Sequence, residues 1–150
     1  MKVDYSKFKY VGSWIGDIEL IIEDKPVEIG ITLDGDETRI AEAAKEALEW
    51  YLENRGSMRE ELLSRILDYY CDERESLGYD IEENEEYPLV SDISEISRMI
   101  SLVAINIPDQ KMFKKGVFLI FECSWDKENG VGVRIVDEKI VKVDYQDIAL

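Results

Sequence analysis

The sequence predicts an α+β domain: one antiparallel sheet built from an N-terminal hairpin and a C-terminal meander, with a two-helix antiparallel pair on one face. Three observations predict it. Apolar residues alternate with polar ones near both ends of the chain, over residues 14–33 and 117–145. Between them, over residues 40–70, the apolar spacing changes to the helical one. Most links are too short for parallel crossovers, so strands and helices segregate along the chain. The 150 residues suit one domain, 1–150, large enough to bury roughly 70% of its unfolded surface. No repeat, linker or low-complexity spacer divides them.

Residues 5–10 form a short, partly alternating segment and read as a first strand. In the next strand Trp14, Ile18, Leu20 and Ile22 share one face, while Ile15 and Ile21 break the polar pattern of the other. Glu23-Asp24-Lys25-Pro26 is a turn, and Val27, Ile29, Ile31 and Leu33 line the return strand. A link this short implies an antiparallel hairpin. Asp36 then suits a helix N-cap, with Glu37 in the first turn. Ile40, Ala44, Ala47, Leu48, Tyr51 and Leu52 recur at helical spacing. Gly56 ends that helix, and Ser57-x-x-Glu60 opens a second as a capping box. Its stripe is Leu62, Leu63, Ile66, Leu67, Tyr69 and Tyr70.

From about 72 to 88 the periodicity fails, and the segment reads as an exposed acidic loop. Ser91 or Ser94 caps a short helix through Ile96, and residues 100–107 form a strand ended by Pro108. Lys111, Lys114 and Lys115 make a basic stretch. Val117, Leu119, Phe121, Cys123 and Trp125 share one strand face. Val131, Val133 and Ile135 repeat the pattern after a five-residue turn, and Val141, Val143 and Tyr145 repeat it again.

Composition excludes several chemistries. The chain has no histidine, so it lacks the usual general base, the His-activated nucleophiles and the commonest transition-metal ligand. Its two cysteines, Cys71 and Cys123, are too far apart in sequence for a metal knuckle or a redox pair and read as small buried hydrophobes. No cofactor is expected. No apolar run approaches the ~18 residues of a membrane span, and the N-terminus has no apolar signal core, so a cytoplasmic location is expected.

Charge is the stronger signal. The net charge is -16. Residues 1–110 carry all of it, and residues 111–150 balance at zero. Residues 68–95 alone hold 11 acids and one base, Arg74. Such a field repels nucleic acid and anionic membranes and draws in basic partners. Asp72, Glu73, Glu75, Glu82, Glu83, Glu85 and Glu86 are the candidate partner-binding surface.

The stretch Cys123-Ser124-Trp125-Asp126-Lys127-Glu128-Asn129-Gly130-Val131-Gly132-Val133 resembles the end of bacterial domain-of-unknown-function families with a Cys-x-Trp-Asp-x-Glu-x-Gly-x-Gly-Val hairpin. The Trp-containing first hairpin, the Tyr69-Tyr70 ending of the helical middle and the closing Val143-Asp144-Tyr145-Gln146-Asp147-Ile148-Ala149-Leu150 also look familiar. The resemblance implies an immunity-like inhibitor of a bacterial toxin domain. Toxin nucleases are often basic because they bind phosphate, so an acidic inhibitor associates quickly. Family members often have His at the position of Asn129. Asn adopts turn conformations readily, so a structural hairpin tolerates the change.

Two other readings fit the same acidic residues. One is a DNA mimic that binds a DNA-binding protein. The other is a metal-dependent enzyme using Glu122, Asp126 and Glu128. The turn is too short to wrap a hard cation, which wants several oxygens. It reads as a hairpin turn with Gly130 at positive φ. Trp14 and Trp125 read as core, and Trp50 as partly exposed at the edge of its helical stripe.

Overall fold

The computed structural model describes residues 2–78 and 84–150. Its centre is a seven-stranded mixed sheet in the order β1-β2-β3-β6-β7-β8-β9. The strands are β1 (Lys9–Tyr10), β2 (Trp14–Ile22), β3 (Lys25–Leu33), β6 (Ile100–Ile107), β7 (Val117–Cys123), β8 (Val131–Val136) and β9 (Lys139–Asp144). A small separate hairpin, β4 (Gly35–Asp36) and β5 (Arg39–Ile40), leads into the helices α1 (Glu42–Ser76) and α2 (Ile93–Ser97). The α+β class therefore holds, and the sheet is mostly antiparallel. The exception is β3 with β6, which run parallel. The link between them, residues 34–99, is the one long enough for such a crossover, and it contains both helices.

The alternating faces of β2 and β3 emerge as read, but β9 departs: Ile140 is buried and Val141 exposed, because the ladder with β8 shifts register between Arg134 and Ile135. Ile18, Leu20, Ile29, Ile31 and Leu33 are buried, whereas Ile15 and Ile21 are exposed. Glu23 and Asp24 both take positive φ and join β2 to β3 as a two-residue turn, leaving Lys25 and Pro26 inside β3. Asp137 and Glu138 join β8 to β9 in the same way. Such left-handed pairs match the twist of the strands they join. The N-terminal segment departs from expectation: Tyr5–Lys7 is a 3-10 turn capped by Asp4, and only Lys9–Tyr10 pairs as a strand.

The helical middle requires the largest correction. Residues 42–76 form one continuous helix, not an antiparallel pair divided at Gly56. A helical glycine costs only about 1 kcal/mol relative to alanine, and burial on both sides outweighs that. Tyr51, Leu52, Leu62, Leu63, Ile66 and Tyr70 are all buried, and the stripe keeps its phase across Gly56. Ser57 does not cap a second helix; its hydroxyl donates to the Asn54 carbonyl at 2.8 Å. Asp36 caps the β4–β5 turn instead of α1, its carboxylate accepting from the Thr38 and Arg39 amides. Residues 72–76, expected in a loop, are the last turn of α1. Asp92, rather than Ser91 or Ser94, caps α2.

Side chains of α1 fix it to the strands. Arg65 donates to the Ile140 carbonyl at 2.9 Å, and the Trp50 indole donates to Glu138 at 3.0 Å. On the opposite face of the sheet the C-terminal 3-10 turn, Gln146–Ala149, lies over β7 and β8. Asn106 donates to the Ala149 carbonyl and Arg134 to the Ile148 carbonyl.

Candidate functional site

The Cys-x-Trp-Asp-x-Glu-x-Gly-x-Gly stretch and the chain terminus turn out to be one device. The Cys123 thiol donates to the Asp126 carbonyl at 3.3 Å. The Asp126 carboxylate accepts from the Asn129 amide and from Asn129 Nδ2, and Gly130 N–H closes the turn on the Asp126 carbonyl. Gln146 then docks on this turn. Its amide donates to the Asn129 carbonyl at 2.9 Å, and its side chain donates to the Phe121 carbonyl at 2.7 Å. Gly132 leaves room for Tyr145 and Ile148 to cross β8; a Cβ there would sit 2.6 Å from the Tyr145 carbonyl oxygen. The two segments that carry the resemblance thus form a clip for the C-terminus.

The clip also builds a surface. Antiparallel pairing places the Asp126 turn and the end of β9 at the same end of the sheet, with Gly132 opposite Asp144. The last turns of α1 reach this end too. Asp126 of the turn and Asp144 of β9 are close enough to act on Glu73 of α1. Partial burial pushes the Glu73 carboxyl above its ordinary value, and the charges of Asp126 and Asp144 push it further. Three tyrosines lie within the field of these acids. Tyr69 is raised by burial first, then by Glu73 and Asp144. Tyr87 is raised by burial, then by Asp126 and Glu73. Tyr145 is raised chiefly by Glu73. Glu73 and these three tyrosines mark a partly covered, negatively charged surface that carries phenols.

Beside it lies an aromatic stack. Tyr70 is fully buried. It packs edge-on against Trp125 at 4.7 Å and stacks with Tyr87 at 6.3 Å. Its hydroxyl donates to the Pro88 carbonyl at 2.6 Å. Arg74, only 4% exposed, donates to the Tyr87 carbonyl at 2.8 Å. Tyr70 and Arg74 together hold residues 87–88 against α1. Asn84 organises the preceding turn by accepting from the Glu86 and Tyr87 amides.

The predicted acidic residues divide accordingly. Glu73 joins the convergent surface. Asp72 and Glu75 are exposed on the same end of α1, and Glu85 and Glu86 are exposed beside Asn84. Glu82 and Glu83 lie outside the described residues. The sequence pattern gives Asp144, Tyr69, Tyr87 and Tyr145 no partner-binding role and offers Asp126 as a candidate metal ligand. Among the described residues, no group of three or more Cys, Asp or Glu side chains is arranged to hold a metal ion. Both oxygens of Asp126 are already engaged by Asn129. Cys123 is buried as expected, its thiol pushed up to about 11 mainly by that burial, whereas Cys71 is exposed. A helix surface position, one turn before Glu75, accounts for that difference.

The architecture and this surface define an α+β domain with a clipped C-terminus and an acidic, tyrosine-lined end. The chain belongs to a family described as a domain of unknown function, DUF6985, whose model matches residues 4–150. No curated protein and no solved structure matches it. No helix among the described residues is long and apolar enough to cross a membrane.

The Glu73 environment gives a pH test. Its native carboxyl holds a proton more tightly than the unfolded chain does, so stability falls as pH rises from the ordinary value of 4.5 through the higher native one. Glu73→Gln is expected to raise the melting temperature at pH 7, by an amount matching roughly a few tenths of a kcal/mol. The gain should vanish well below pH 4.5, where both side chains are neutral. Thermal melts across pH measure it. A lower melting temperature for the variant at pH 7 would show that Glu73 is held by a favourable partner within the chain.

Proposed function

We propose that this chain is a non-enzymatic, acidic protein-binding domain, and that its partner is a basic protein surface. An immunity-like inhibitor of a bacterial toxin domain is the concrete form of that reading. The observation that supports it is that Asp126 and Asp144 act on the partly buried Glu73, with Tyr69, Tyr87 and Tyr145 in the field of the same acids. Carboxylates that crowd one another and are partly desolvated gain most from an incoming Arg or Lys. Tyrosine supplies large contact area at small entropic cost and is enriched at interfaces. Around this centre, Asp72, Glu75, Glu85 and Glu86 extend the negative field and act on encounter more than on the docked contact.

The test is to isolate a partner from the native host and follow association and dissociation by stopped flow. Replacing Glu82, Glu83, Glu85 and Glu86 by Gln should slow association at low salt and flatten its salt dependence, with little change in stability. Glu73→Gln combined with Tyr145→Ala should instead speed dissociation by about tenfold or more. Unchanged dissociation in the second variant would move the interface away from this end of the molecule.

A further inference from the structure

We propose that the cleft where β3 and β6 part is a binding site for a small organic anion, an apolar body carrying one carboxylate or phosphate group. The two strands pair only over their final residues, Gly30–Leu33 with Ala104–Ile107. Below that point β6 is irregular between Leu102 and Ala104, and β3 and β6 no longer share a ladder. α1 passes over the opening, and Gly56 is one of the residues with which it lines the cleft. A Cβ at Gly56 would meet nothing within 4 Å. The result is a cavity of about 540 Å³, within the size range of small-molecule sites.

Its lining has two parts. Val27, Tyr51, Leu62, Leu63, Leu102 and Phe121 form an apolar floor. Lys25, Arg55, Arg59 and Arg98 contribute four cations, against one carboxylate, Glu23. In a chain of net charge -16 with 18 bases, that local excess is contrary to the rest of the surface. Arg55 donates to the Ile21 carbonyl at 2.7 Å, and Arg59 pairs with Glu23 at 2.6 Å. These two bonds fix the wall beside the β2–β3 turn. Lys25 and Arg98 make no ion pair among the described residues. They remain available to an anion whose apolar body rests on the floor.

The overall negative field does not forbid this. Screening limits exposed charges to about 8 Å at physiological salt, so the cations lining the cleft dominate within it. None of the lining residues belongs to the carboxylate surface at the end of α1, so the two sites are independent.

Calorimetry of the full chain with sodium octanoate, octyl phosphate and octanol, at physiological salt, tests the proposal. One-to-one binding of at least one of the two anions is expected, with octanol at least about tenfold weaker. The stronger anion identifies the head group. Lys25→Gln with Arg98→Gln should weaken anion binding by about tenfold or more and leave octanol unchanged. Gly56→Met should abolish binding by filling the cleft. It should also melt at or above the wild-type temperature, because Met is the better helix former, which separates a filled site from an unfolded chain. Octanol binding as tightly as octanoate, anion binding that survives Gly56→Met, or no binding of any probe would each overturn the proposal.

Discussion

Gly130→Val is expected to destabilise the chain by about 3–5 kcal/mol. Gly130 sits at φ +58, a region that costs a side-chain-bearing residue roughly 1–2 kcal/mol and a β-branched one more. Space is the second obstacle. A Cβ at this position would collide with the Gln146 carboxamide and approach the Phe121 carbonyl oxygen to 2.6 Å. Gln146 would have to leave, and with it go the bonds to Phe121 and Asn129 that hold the C-terminal turn on the sheet. Gln146→Ala is the control, because it removes the side-chain bond without backbone strain. Its cost should be closer to about 1 kcal/mol. Urea unfolding of both variants measures the difference. Equal and small losses would mean that the clip contributes little and that the turn relaxes to accept a side chain.

Much of the fold could be read from the strands because their alternation is clean. Val27, Ile29, Ile31 and Leu33 allow one register only, since a slip of one residue would expose every apolar side chain, whereas β7 is apolar on both faces, with Phe118 buried as well as Leu119. The single helix was missed for a local reason. Gly56 followed by Ser57-x-x-Glu60 has the form of a stop and a start, yet the spacing from Tyr51 through Met58 to Leu62 and Ile66 stays in phase. Two antiparallel helices would need a break in that phase. The buried stripe carried more weight than the punctuation. The parallel β3–β6 pair was hidden because no local pattern reports which strands become neighbours across a 66-residue link, residues 34–99.

The candidate surface was half legible. The acid-rich run at 68–95 pointed to Glu73, but charge counting weighs every carboxylate equally. What distinguishes Glu73 is its proximity to Asp126 and Asp144, and that depends on strand register. The signal was available in the meander: two short turns return the chain so that Asp144 must lie beside the 126–130 turn. Tyr69 and Glu73, four residues apart, lie on one helix face. The cationic cleft had no sequence signature at all. Arg55 and Arg59 share α1, but Lys25 comes from β3 and Arg98 from the end of α2, and an acidic total masks them.

Trp125→Ala should cost about 3–5 kcal/mol, the range for deleting a large buried aromatic side chain. The sequence reading placed Trp125 in the core, and it is 5% exposed. Its position makes the loss spread. The indole packs on Tyr70 with the rings 64° apart, an edge contact worth about 0.5–1.5 kcal/mol beyond the area it buries. Tyr70 in turn stacks on Tyr87 and holds Pro88 through its hydroxyl. A cavity at Trp125 therefore loosens the support of the tyrosine-lined surface as well as the core. For a chain of this length the melting temperature should fall by roughly 10 °C. Amides of residues 84–90 should also exchange faster than those of β3, because their anchor is the affected stack. Hydrogen exchange on the variant under conditions where it remains folded separates the two effects. Faster exchange spread evenly over the whole chain would mean that Trp125 contributes only bulk to the core. Unchanged stability would show that the ring lies outside it.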